Sequence, residues 1–136
     1  MSINSTIHKS ASLCFRGFEQ APAQIELMVG VPATKVGLKG NQIKPGVQTT
    51  WKKSVAKFTV EFPHGCGLDE MIPKMLSHLG GVQHLCEVRN AIRPEFFEID
   101  ITLPIKNSEE QEGGFFPPEV LGDLNQLGVT LSFQFL

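Results

Sequence analysis

Hydrophobic positions along this chain recur with two periods, and the switching between them outlines the fold. In residues 12–18, Leu13 and Phe15 alternate with Ser12, Cys14 and Arg16, the period of a strand with one face turned to a core. Residues 22–29 change to a helical stripe of Ile25, Met28 and Val29, opened by Pro22 and stopped by Gly30. Residues 55–62 return to period two, with Ala56, Phe58, Val60 and Phe62 set against Lys57, Thr59 and Glu61. Residues 68–79 place Leu68, Met71, Ile72, Met75 and Leu79 on one helical face ahead of Gly80 and Gly81. Pro73 belongs in the first turn of that helix, because deeper inside it removes a hydrogen bond and kinks the backbone.

Residues 82–92 suit a helix through Val82, Leu85, Cys86, Arg89 and Ile92, with a partly extended reading left open. Residues 97–105 alternate Phe97, Ile99, Ile101, Leu103 and Ile105 with Glu98, Asp100 and Thr102. Residues 106–114, KNSEEQEGG, read as a solvated acidic loop. Pro117, Pro118 and Glu119 open a last helix, striped by Val120, Leu121, Leu124 and Leu127 and capped by Gly128. A final strand turns Val129, Leu131, Phe133 and Phe135 inward and Thr130, Ser132 and Gln134 outward.

Strands covered on both faces read as continuous apolar runs, whereas these carry a polar face. The pattern therefore predicts an α+β, two-layer sandwich: a sheet of about four strands, mostly antiparallel or mixed, with three to four helices on one face. Residues 1–10 read as a flexible tail and 11–136 as a single domain, since no repeat or linker interrupts the pattern.

Composition narrows the function classes. The 136 residues are 41% hydrophobic and 19% charged with a net charge of -2, so no global attraction to nucleic acid or acidic membranes follows. No apolar run approaches the roughly 18 residues that span a bilayer, and the opening MSINSTIHKS lacks the apolar stretch of a secretory signal. A cytoplasmic protein with no membrane partner is expected. Cys14, Cys66 and Cys86 form an odd set without a disulfide framework, and free thiols are expected.

Three patterns invite chemistry. His64-Gly-Cys66 and His84-Leu-Cys86 supply zinc-ligand types, but on a helix His84 and Cys86 point about 200° apart and cannot share a metal. In an extended segment they could. Glu98 and Asp100 stand about 7 Å apart along one strand face, a spacing open to acid–base work, although a solvated sheet face explains them better. No serine elbow, phosphate loop or dinucleotide fingerprint is present. An enzyme, a metal and a cofactor are therefore not expected. The absence of tyrosine and the inward placement of most of the ten phenylalanines argue against an aromatic nucleic-acid platform.

Charge is distributed unevenly. Between Glu26 and Glu61 the chain carries Lys35, Lys39, Lys44, Lys52, Lys53 and Lys57 and no acid. Residues 95–123 carry Glu95, Glu98, Asp100, Glu109, Glu110, Glu112, Glu119 and Asp123 against Lys106 alone. A basic lobe and an acidic lobe are expected, and such asymmetry serves recognition. The 22-residue stretch 30–51 is long for a loop without a role. Candidate binding residues are Lys35, Lys39, Gly40, Lys44, Trp51, Lys52 and Lys53, with Glu98 and Asp100 on the polar sheet face beside Thr102, Thr130, Ser132 and Gln134. Two uses are open. One is contact with a protein partner, anchored by Trp51 unless that ring is a buried clamp. The other is a phosphate, nucleotide or carboxylate cradled by Lys39, Gly40, Lys44 and Gly46. The terminal strand 129–135 would also leave an edge at which a homodimer could form.

The order G-V-P-A-T at 30–34, K-G at 39–40, an isolated Trp51 ahead of a strand, and the ending LGDLNQLGVTLSFQF resembles a bacterial family, domain of unknown function 4279. The resemblance covers about residues 11–136. It implies a shared fold and supplies no activity. The small, mobile-element-like character of that family implies a binder of immunity, inhibitor or anti-defence type.

Overall fold

In the computed structural model, which describes residues 8–104 and 114–136, β1 (Lys9–Arg16) runs through the middle of the sheet. Its alternation turns Ala11, Leu13 and Phe15 to one face, where they are fully buried. β3 (Val55–Phe62) and β4 (Phe96–Leu103) flank β1, both antiparallel to it. β2 (Lys35–Gly37) pairs antiparallel outside β3, and β5 (Thr130–Phe135) pairs parallel outside β4. The order β2-β3-β1-β4-β5 makes one open mixed sheet of five strands.

Four helices, α1 (Pro22–Val29), α2 (Leu68–His78), α3 (Val82–Ile92) and α4 (Pro118–Leu127), complete an α+β sandwich. The parallel β4–β5 pair requires a crossover, and α4 lies within it. The core is a single cluster between the layers. Phe58, Phe15 and Phe97 come from three adjacent strands, with Phe15 edge-on to Phe58 at 6.0 Å and tilted against Phe97 at 4.9 Å. Ile25 of α1, Met71, Ile72 and Met75 of α2, Leu85 of α3 and Leu127 of α4 close it from above.

Several expectations change. The extra strand, β2, lies inside the stretch expected to be one loop. The remainder of that stretch folds back as an irregular hairpin: the Trp51 carbonyl accepts from Gly40 N–H (2.9 Å), Trp51 N–H donates to the Asn41 carbonyl (2.9 Å), and Gln42 bridges Thr50. Of the expected tail, residues 1–7 lie outside the described residues, while Lys9 and Ser10 belong to β1. The Lys9 ammonium holds them there by donating to the carbonyls of His64 (3.0 Å) and Cys66 (2.6 Å).

Residues 82–92 are helical, as α3. Pro73 sits past the first turn of α2, on its exposed face, where water can reach the carbonyl left without its helical donor. Leu121 falls outside the α4 stripe and is exposed, leaving Val120, Leu124 and Leu127 to the core. Phe133 and Phe135 share the helix-side face of β5 yet remain 41% and 50% exposed, because the helices do not cover the sheet out to that edge. The expected acidic loop lies in residues 105–113, outside the described residues.

Candidate functional site

The face of the sheet opposite the helices is not flat. On the central strand its outward residues are small, Ser10, Ser12 and Cys14. Their cross-strand neighbours are longer: Glu61, Thr59 and Lys57 on β3, and Thr102, Asp100 and Glu98 on β4. Short side chains between longer ones leave a trough along β1. Ser12 and Cys14 are only 4% and 1% exposed at its floor, although no helix among the described residues covers them. Hydroxyl contacts tie the trough crosswise, Ser12 Oγ with Thr59 Oγ1 at 2.8 Å and Ser132 Oγ donating to Asp100 Oδ1.

One end of the trough is basic. Arg16 closes β1, and Lys57 of β3 lies directly opposite Lys35 of β2 on the same face. The chain after the hairpin crosses this end and lays Trp51, Lys52 and Lys53 over it, enclosing a cleft of about 320 Å³ with Cys14 and Val55 in its lining and Asp100 on the β4 side. Trp51 is half-buried, and its indole rests on Gly37 of β2. A Cβ at Gly37 would lie 2.3 Å from the ring, so a glycine is what seats it. The Lys35 ammonium stands 5.4 Å from the ring centroid, within cation–π reach.

Backbone ties hold the covering segment in place. The buried Ser54 accepts from Lys39 N–H through its hydroxyl (3.1 Å) and from Gly17 N–H through its carbonyl (2.8 Å), and the Gly17 carbonyl accepts from Glu95 N–H (3.0 Å).

The charges are only partly balanced. Glu98 sits 3.3 Å from Arg16, although its Oε1 makes no aligned hydrogen bond. Lys53 bonds Glu95 at 2.7 Å and lies 5.6 Å over the exposed ring of Phe96. Among the described residues no carboxylate oxygen comes within 4.0 Å of the Lys35, Lys52 or Lys57 ammonium. Like charges opposite one another on neighbouring strands repel, so among the described residues Lys35 and Lys57 form a pair without a bonded counter-charge. At the floor, burial pushes the Cys14 thiol up, with Arg16 opposing and Asp100 and Glu98 adding to the rise. Cys14 is thus a neutral filler rather than a thiolate nucleophile.

The predicted site residues divide into two groups. The structure brings Lys35, Trp51, Lys52, Lys53 and Asp100 into the cleft, with Glu98 beside it through Arg16. Lys39, Gly40 and Lys44 lie on the exposed hairpin away from it. Of the donors expected to form an anion cradle there, the Gly40 N–H already serves the Trp51 carbonyl. Sequence reasoning missed Arg16, Lys57 and Cys14 as site residues. Their signal was the run of small outward residues on β1 and the pairing of two lysine-bearing strands.

The second histidine–cysteine pair takes structural roles. His84 Nε2 donates to the Val29 carbonyl at the end of α1 (2.9 Å), while Cys86 points to Gln126 in α4 (3.7 Å). Among the described residues no three His, Cys, Asp or Glu side chains gather as metal ligands, and no helix is long and apolar enough to cross a membrane. The far end of the trough holds a second, hydroxyl-rich depression lined by His8, Ser10, Thr34, Thr59, Glu61 and Thr102. Comparison with protein-family models, with curated proteins and with solved structures returned no match to this chain.

Proposed function

We propose that the protein is a non-enzymatic binding protein acting through protein contact, in the manner of an inhibitor or immunity protein, and that the uncovered sheet face is its recognition surface. One observation carries the reading. The basic segment and the polar strand face, separate in sequence, adjoin in one trough, where Trp51, Lys35 and Lys57 meet Asp100 of β4. A half-buried tryptophan flanked by cations suits an interface anchor, since Trp and Arg contribute out of proportion to their number. Unbalanced lysines favour a partner with an acidic surface, through steering and specificity more than raw affinity.

The test compares partner capture and melting for the wild type and Trp51→Ala. Half-buried, the ring should contribute about 1–2 kcal/mol to stability, less than the roughly 3–5 kcal/mol of a core aromatic. Capture lost while the variant stays folded supports the reading. A variant that melts lower but captures as well as the wild type refutes it, and leaves Trp51 a clamp.

A further inference from the structure

The chemistry of the group that enters the cleft can be read from what lines it. This rests on the open-face reading and names its ligand. Lys35 and Lys57 face each other across β2 and β3, and Lys52 lies on the segment above, all three without a carboxylate within 4.0 Å among the described residues. Arg16 and Lys53, by contrast, are already matched by Glu98 and Glu95. Two lysines paired in register across neighbouring strands carry a charge that one monoanion only halves, whereas a dianion balances it. Ammonium groups also act as compact point charges toward phosphate, and the Arg16 charge is already paired with Glu98. The indole seated on Gly37 walls the site, and the neutral Cys14 and Val55 give it an unreactive floor.

We propose that the cleft binds the dianion of a phosphate monoester between Lys35 and Lys57, carried either on a partner's side chain or on a free small molecule.

The test uses the full chain at constant ionic strength, with inorganic phosphate, phenyl phosphate and a phosphoserine peptide as probes, read by calorimetry and melting. Phosphate should raise the melting temperature of the wild type. Lys35→Gln and Lys57→Gln should each weaken binding about tenfold, the scale of one charge-assisted hydrogen bond. Lys57→Gln, which removes the repulsion and leaves the Lys35–Trp51 contact in place, should melt no lower than the wild type without phosphate. Asp100→Asn, which removes the carboxylate lining the cleft, should tighten binding. Tighter binding of the peptide assigns the group to a partner protein, and tighter binding of phenyl phosphate assigns it to a small molecule. Equal responses of wild type and both lysine variants, or no response, overturn the proposal. These titrations need no partner, and the capture experiment needs no phosphate, so the two readings fail separately.

Discussion

Trp51 and Gly37 behave as one unit, and the chain's composition makes that unit easy to observe. With one tryptophan and no tyrosine, indole emission reports this contact alone. In Gly37→Ala the added methyl must displace the ring. The variant should lose about 1–3 kcal/mol, as overpacked sites do, and its emission should move toward that of a solvent-exposed indole. Unchanged emission and melting would mean that the ring does not rest on β2. Cys14 gives a second test at this scale. Burial raises its thiol, so the folded chain holds that proton more tightly than the unfolded one does. The resulting stability is intact below the ordinary thiol value of 9.0 and declines as pH rises beyond it. At neutral pH, alkylation mapped by mass spectrometry should reach the partly exposed Cys86 first, and the buried Cys14 and Cys66 only on unfolding.

Among the elements, α3 joins its neighbours through side chains that end other helices. His84 meets the last carbonyl of α1, and the Arg89 guanidinium donates to the carbonyls of Gln126 (2.9 Å) and Leu127 at the end of α4. A cation on helix-terminal carbonyls gains from both hydrogen bonding and the helix dipole. Arg89→Leu should therefore cost about 1–3 kcal/mol in denaturant unfolding. Lys74→Gln, which breaks only the exposed 3.8 Å pair with Glu70, should cost under about 0.5 kcal/mol. Equal losses would remove the capping role. Helices and long strands were legible in the sequence because their periods run for two turns or more. β2 was not, since the three residues Lys35, Val36 and Gly37 hold no period. The exposure of Phe133 and Phe135 was also hidden, because alternation tells which face a residue takes but not whether its strand lies at the edge.

Over the whole molecule, charge that is segregated along the sequence becomes interleaved in space. Glu95 and Glu98, from the acid-rich half, cross to Lys53 and Arg16, and among the described residues leave Lys35, Lys52 and Lys57 unmatched at the cleft and Lys39 and Lys44 unmatched on the hairpin. The basic segment was visible in the sequence, and Trp51 within it. The cleft was not, because it depends on strand order: β3 must lie between β2 and β1 to set Lys57 opposite Lys35 and beside Cys14. The central claim is that this cleft, and not net charge, performs recognition. It is tested most directly by two charge reversals that alter net charge equally, Lys57→Glu in the cleft and Lys44→Glu on the exposed hairpin, compared for partner retention at matched ionic strength. The account predicts that Lys57→Glu releases the partner while keeping the fold, and that Lys44→Glu retains it. Equal loss from both, or retention by both, would contradict it.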